Sequence, residues 1–182
     1  MSVPQALPTT RPRFIHVAQG DFAVSGDPGA CLTTLLGSCV ATCLWDPQRK
    51  MGGMNHYLLP EGAQDGVGLQ RYGVNAMELL VNGMLKRGSR KSDLVAKVFG
   101  GAQMLSAETE IGMRNGQFAQ RFLAAEGIPV LGGSLGGKRA RRLRFFPADG
   151  RVQQRLMSED SAAPIQTPAL EPPNGSGELE LF

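Results

Sequence analysis

The chain has 182 residues, a formal net charge of +3, 24 glycines and three cysteines, a length that suits one domain with a real core. No stretch approaches the roughly 18 continuous apolar residues of a membrane span, and the first fourteen residues hold no apolar signal core. The expectation is therefore a cytoplasmic protein without membrane insertion. Cys31, Cys39 and Cys43 are odd in number and have no downstream Cys or His pair at zinc-finger spacing, which argues against a disulfide framework and a metal centre. Basic residues concentrate late: Lys138 to Arg155 holds seven of them against the single acid Asp149, and no Lys or Arg follows. A basic edge before an acidic tail suits contact with an anionic surface, or a solvated charged face, and does not point to nucleic acid.

In chain order, residues 1–13 carry three prolines and no apolar period, the pattern of a flexible lead-in. Phe14 to Val24, Ala30 to Leu36, Cys39 to Trp45 and Met54 to Leu59 have the apolar character of strands. From Tyr72 to Arg87 the period changes, with Met77, Leu80, Val81, Met84 and Leu85 on one helical stripe that Gly88 can close. Leu94 to Phe99 predicts a buried strand ending at Gly100-Gly101. Asn115 can cap a second helix, with Phe118, Phe122 and Leu123 on one face and Gly127 at its end. Ile128 to Leu131 resumes the sheet, and Arg141 to Phe146 and Arg151 to Leu156 flank a Pro147-Ala148-Asp149-Gly150 hairpin turn. Residues 158–182, rich in Pro, Gly and Ser, are expected to be a disordered acidic tail. One domain over 14–157 results, mixed α/β and rich in antiparallel pairs.

The stretch from Thr33 to Pro60 holds a Gly-Ser-Cys turn and an Asn-His pair on two strands joined by Asp46-Pro47-Gln48. With that turn centred between Pro47 and Gln48, Cys39 faces His56 across the hairpin, and directly opposed Cβ atoms lie about 4.5–5.5 Å apart. A thiol is only slightly ionised at neutral pH, so a hydrolytic cysteine needs an imidazole to take its proton. His56 is the candidate base; His16 lies near the N-terminus, outside any motif. Gly37 ahead of Ser38 leaves room for backbone amides to approach a developing oxyanion. No Asp or Glu lies within 33–42, so a hydroxyl, Thr33 or Thr34, is available to orient the imidazole. Cys31 and Cys43 suit inert core positions. A thiol redox or zinc reading of Cys39 and Cys43 lacks a full ligand set.

At LLGSCVATCLWDP and GGMNHYLLP, and on through YGVNAMELLVNGML, AKVFGGAQM, IGMRN and FFPADGRV, the sequence resembles the chemoreceptor glutamine deamidase family, CheD. The resemblance covers about 14–157. It implies an α/β (α+β) sandwich of packed, mixed, largely antiparallel sheets flanked by helices, similar to the cytotoxic necrotizing factor catalytic domain. It implies Cys39 as nucleophile, His56 as base and Thr33, six residues before the cysteine, as the group that orients the histidine. The implied reaction converts receptor glutamines to glutamate through a thioester, with hydrolysis of glutamyl methyl esters open to the same path and no cofactor required. The implied partners are methyl-accepting chemotaxis receptors and a CheC-type phosphatase; the alternative is a non-catalytic regulator that only binds them. Asn55, Arg141 and Arg142 are expected to face the substrate.

Overall fold

The computed structural model describes residues 11–59, 66–103, 109–158 and 179–182. Of the expected lead-in and tail, residues 1–10 and 159–178 lie outside the described residues. The strands are β1 (Arg13–His16), β2 (Phe22–Ser25), β3 (Ala30–Leu36), β4 (Val40–Asp46), β5 (Met51–Asn55), β6 (Val95–Gly100), β7 (Val130–Leu135), β8 (Arg141–Phe146), β9 (Arg151–Leu156) and β10 (Leu179–Leu181). Two helices, α1 (Gly66–Lys86) and α2 (Thr109–Ala125), complete the longer elements.

The strands form two five-stranded sheets, ordered β1-β3-β8-β9-β10 (sheet I) and β2-β5-β4-β6-β7 (sheet II). Each is mixed and mostly antiparallel: only β1 with β3, and β6 with β7, run parallel. Leu32, Leu36, Leu143, Phe145 and Val152 of sheet I share one buried cluster with Ala41, Cys43, Met54 and Phe99 of sheet II. The other face of sheet II meets both helices through Val40, Leu44, Val98, Met77, Leu80, Met84 and Leu123. The order of layers is therefore sheet, sheet, helices. Central β4 is covered on both faces, which explains why it is buried at every position but the half-buried Trp45, whereas period-two alternation would mark a one-sided strand.

Two expectations move. The apolar run from Phe14 to Val24 is not one strand: β1 joins sheet I and β2 joins sheet II, with a turn at Ala18–Gly20 between them. The final four residues are not uniformly tail, because β10 pairs with β9. The helical stripe stands as expected, with Met77, Leu80, Val81 and Met84 buried, and Gly88 at φ +96° receiving the chain after α1. Among the described residues no helix is long and apolar enough to cross a membrane.

Gly52 and Gly53 set the spacing of the layers. A Cβ on Gly52 would lie 2.6 Å from the Phe145 ring of sheet I, and one on Gly53 would lie 2.9 Å from Leu80 of α1. Bare backbone at these two positions lets a ring approach β5 from one face and a helix from the other. Gly52→Ala is expected to lower stability by about 1–3 kcal/mol through overpacking. Gly132→Ala, where nothing stands within 4 Å of the added atom, serves as the control. Urea denaturation midpoints check the pair.

Candidate active site

The chain crosses from sheet I to sheet II in the three residues between β3 and β4, Gly37-Ser38-Cys39. All three carbonyls of this crossover are held: Gly37 O accepts from Ala102 N at 2.9 Å, Ser38 O from Asn115 Nδ2 at 2.9 Å, and Cys39 O from Gly101 N at 2.8 Å. Because a trans peptide points its C=O and N–H in opposite directions, fixing the carbonyls of Gly37 and Ser38 also aims the amides of Ser38 and Cys39. The approach needs Gly100 and Gly101, at φ +113° and +65°; a Cβ on Gly100 would sit 2.1 Å from Cys39 O. Cys39 is half-buried and packs on the inter-sheet cluster, and its Sγ donates to Gln19 Oε1 at 3.4 Å.

His56 directly follows β5 and is 7% exposed. Its backbone is pinned to the β1–β2 connection, with Gly20 N donating to His56 O at 2.7 Å and His56 N to Asp21 O at 3.1 Å. Nδ1 lies 2.8 Å from Thr34 Oγ1 and 3.3 Å from Val17 O, while the Thr34 hydroxyl donates to Val17 O at 2.8 Å. A hydroxyl has one proton to give. With that proton on Val17 O, Thr34 Oγ1 accepts from His56, so Nδ1 carries the hydrogen and the lone pair is on Nε2. Among the described residues Nε2 is buried without a hydrogen-bond partner. Burial holds the imidazole pKa below its ordinary value, opposed by the bond to Val17 O and assisted by His16. The ring is thus a neutral Nδ1–H tautomer whose basic nitrogen is buried and, among the described residues, not taken up by a hydrogen bond.

The register of the hairpin corrects the sequence argument. Cys43 pairs with Met54, Asp46 with Met51, and Val40 exchanges both backbone hydrogen bonds with Tyr57 at 2.9 Å. The turn is centred one residue later than expected, because Asp46 Oδ1 accepts from the amides of both Gln48 and Arg49 and closes a longer loop. Cys39 and His56 are therefore diagonal rather than directly opposed, flanking the Val40–Tyr57 bridge. Moving the centre by one residue moves each partner by two, so both side chains stay on the inter-sheet face. Diagonal neighbours lie about 7–8 Å apart at Cα, within reach of long side chains.

Other expected residues fall elsewhere. Thr33 does not contact the imidazole: strand alternation turns it to the outer face of sheet I, where its hydroxyl donates to Leu143 O at 2.9 Å. Thr34, on the inner face with Leu32 and Leu36, is the hydroxyl at the histidine. Asn55 is 1% exposed, so it does not face a substrate; its Oδ1 accepts from Thr42 N at 2.9 Å and its Nδ2 donates to Ala76 O at 3.1 Å, tying α1 to sheet II. Arg141, 2% exposed, turns inward between the sheets and donates to Ser134 O, Ser134 Oγ and Gly136 O. Arg142, one residue on, is exposed on the outer face.

Sequence reasoning missed Gln19 and misplaced Asn115. The latter sits inside α2, well after its first residue Thr109, and caps nothing. Fully buried, it holds Ser38 O, accepts Leu59 N at 2.9 Å, and its carbonyl takes the Tyr57 hydroxyl at 2.9 Å. One side chain thus ties the cysteine loop to the segment that follows the histidine. The signal was an amide residue on the apolar side of a helix, a position that requires partners.

The chain is similar to known proteins. The family model described as CheD chemotactic sensory transduction matches residues 58–156. The chain is 51% identical over 173 residues to the "Probable chemoreceptor glutamine deamidase CheD" of Caulobacter sp. (strain K31), covering 92% of both chains. It is 49% identical to the protein of that name from Acidiphilium cryptum (strain JF-5), covering 93% of this chain and 94% of that one. Among solved structures, Neisseria meningitidis NMB0706 aligns at TM-score 0.44 and 10% identity over 70% of this chain and 64% of that one. Bacillus licheniformis YfiH aligns at 0.40 and 16% over 69% and 60%.

Burial pushes the Cys31 thiol up to about 11 and Cys43 higher still. Brief iodoacetamide treatment of the native protein is expected to label Cys39 and spare the other two, as read by peptide mass spectrometry. Thr34→Val, which strips the imidazole and Val17 O of a buried partner, is expected to cost about 1–3 kcal/mol and to shift the His56 ring resonances, whereas Thr33→Val leaves them in place. Because His56 has a lower pKa folded than unfolded, the unfolded chain binds more protons below about 6.5. Its contribution is therefore a loss of stability as pH falls from there toward the folded pKa, a slope that His56→Gln reduces in urea titrations.

Proposed function

The chain belongs to the CheD family, and from that premise we propose that it deamidates glutamine side chains of chemoreceptors, with Cys39 as nucleophile, His56 Nε2 as base and Thr34 as the group that orients the imidazole. The observation that carries this reading is the Nδ1–H to Thr34 bond, which leaves Nε2 as the basic nitrogen on the face that also carries Cys39. The thiol proton passes to Nε2, and the thiolate attacks the carboxamide carbon to form a carbon–sulfur bond. The amides of Ser38 and Cys39, aimed by the fixed carbonyls before them, are the donors suited to the oxyanion. Collapse breaks the carbon–nitrogen bond, and ammonia leaves with the proton held by His56. Water, deprotonated by the same nitrogen, then attacks the thioester, giving glutamate and restoring the thiol. A glutamyl methyl ester follows the same route with methanol as leaving group. No step calls for a metal or redox group.

Arg142 supports the substrate side of this reading. It pairs with Leu35 on one side and Arg155 on the other, at the end of sheet I from which the chain runs to Cys39. Arg144 and Arg151 share that outer face, over the rings of Phe14 and Phe146 at 5.1 and 4.3 Å. This basic face suits a receptor helix bearing glutamates, the products of the reaction itself.

Ammonia release from purified receptor is the direct test. Cys39→Ala is expected to lower it by about 10³-fold or more, and an unchanged rate would remove the enzymatic reading. Arg142→Glu is expected to raise KM for the receptor several-fold while leaving kcat and Cys39 alkylation as they were.

A further inference from the structure

The last four residues, Leu179-Glu180-Leu181-Phe182, return to the domain and occupy the edge of sheet I. Leu179, Glu180 and Leu181 pair antiparallel with Arg155, Gln154 and Gln153, and Phe182 exchanges both backbone bonds with Val152, at 3.0 and 3.1 Å. Alternation sends Glu180 and Phe182 to the inner face. The Phe182 ring meets the buried Phe99 ring edge to face, with centroids 5.4 Å apart and planes at 73°. Glu180 Oε2 accepts from Gln154 Nε2 at 2.9 Å, and the same nitrogen lies 3.3 Å from Ser134 Oγ, which in turn accepts from Arg141 at 3.1 Å.

Arg141 gives this strand its electrostatic reason. A guanidinium buried between two sheets needs compensating charge as well as hydrogen bonds. Its direct partners, Ser134 and Gly136, are neutral. The carboxylate that draws on it is Glu180, two residues before the chain end, and that attraction opposes the burial that disfavours its charged form. The segment therefore brings three separate anchors: a backbone ladder, an aromatic ring over Phe99, and a counter-charge.

We propose that the edge of β9, with Phe99 and the Arg141–Ser134–Gln154 relay, is a peptide-binding site whose ligand is this chain's own segment Leu179–Phe182, held in cis. The chemical class it takes is an extended peptide with an aromatic residue and a carboxylate side chain two residues before it. Strand addition supplies affinity through the ladder, and the two inner-face side chains supply selectivity. Because ligand and site belong to one chain, the binding is intramolecular and is favoured by an effective concentration of about millimolar. The filled site also covers an edge that would otherwise be open to strands of other chains. Phe99 pairs with Ala41, two residues from Cys39, so the occupied site borders the packing behind the nucleophile.

The test uses full-length protein and a labelled peptide of sequence GELELF. In the wild type, the Val152 amide is expected to exchange with deuterium at least about 10-fold more slowly than in the Phe182→Ala/Glu180→Lys double variant, and added peptide is not captured. The double variant is expected to bind the peptide and recover the protection, and a GELKLF peptide is expected to fail. Fast exchange at Val152 in the wild type would overturn the proposal without any variant. So would a folded double variant that keeps full protection or ignores the peptide. If the double variant does not fold, Phe182→Ala alone is measured by the same criteria.

Discussion

A threonine hydroxyl in one sheet bonded to an imidazole carried by the other is the contact on which the site depends. Thr34 belongs to sheet I, and His56 extends the strand β5 of sheet II. Their bond selects the tautomer, and with it the nitrogen that can take a proton. It holds only while the two sheets keep their spacing, which is why Gly52 and the Phe145 ring against it matter to a contact some distance away. A single-sheet protein with the same hairpin could bring a cysteine and a histidine to one face, but nothing would hold the ring from behind.

The proposed nucleophile is positioned by backbone more than by side chains. Cys39 sits where the chain changes sheet, and three successive carbonyls there are taken up by Gly101, Ala102 and Asn115. Such a loop has little freedom left, so the directions of the amides that follow those carbonyls are fixed in advance, as the proposed oxyanion role requires. Asn115 extends this rigidity, since it also binds Leu59 beyond the histidine. Removing one partner from a fully buried amide of this kind leaves an unmet donor or acceptor, which costs about 1–3 kcal/mol.

The basic segment illustrates how alternation divides like residues between opposite tasks. Arg141 and Arg142 are neighbours of the same type, yet one is the largest fully buried side chain and the other is open to solvent. Composition alone groups them. The pleat separates them, and the inward one becomes a stitch between sheets whose counter-charge comes from the chain end.

The sequence by itself determined the element types that rest on local pattern. The stripe of α1 and the β8–β9 hairpin are set by residues within a few positions of each other, and the Gly-Ser-Cys turn is brought toward the Asn-His pair by the single hairpin between them. It also determined that Cys39 and His56 share a face, because parity survives an error of two in register. Tertiary structure decided the rest. Whether Thr33 or Thr34 meets the histidine depends on which face of β3 looks toward a second sheet, and both faces of that strand carry apolar residues. Asn55 and Arg141 turned out to be buried connectors, since their partners, Ala76 on α1 and Ser134 on β7, come from elements that no local pattern links to them. The C-terminal strand is legible only once the edge it completes exists, for the alternation of Leu179, Glu180 and Leu181 is too short to set them apart from the Pro-, Gly- and Ser-rich residues before them, and their meaning comes from contacts made across the length of the chain.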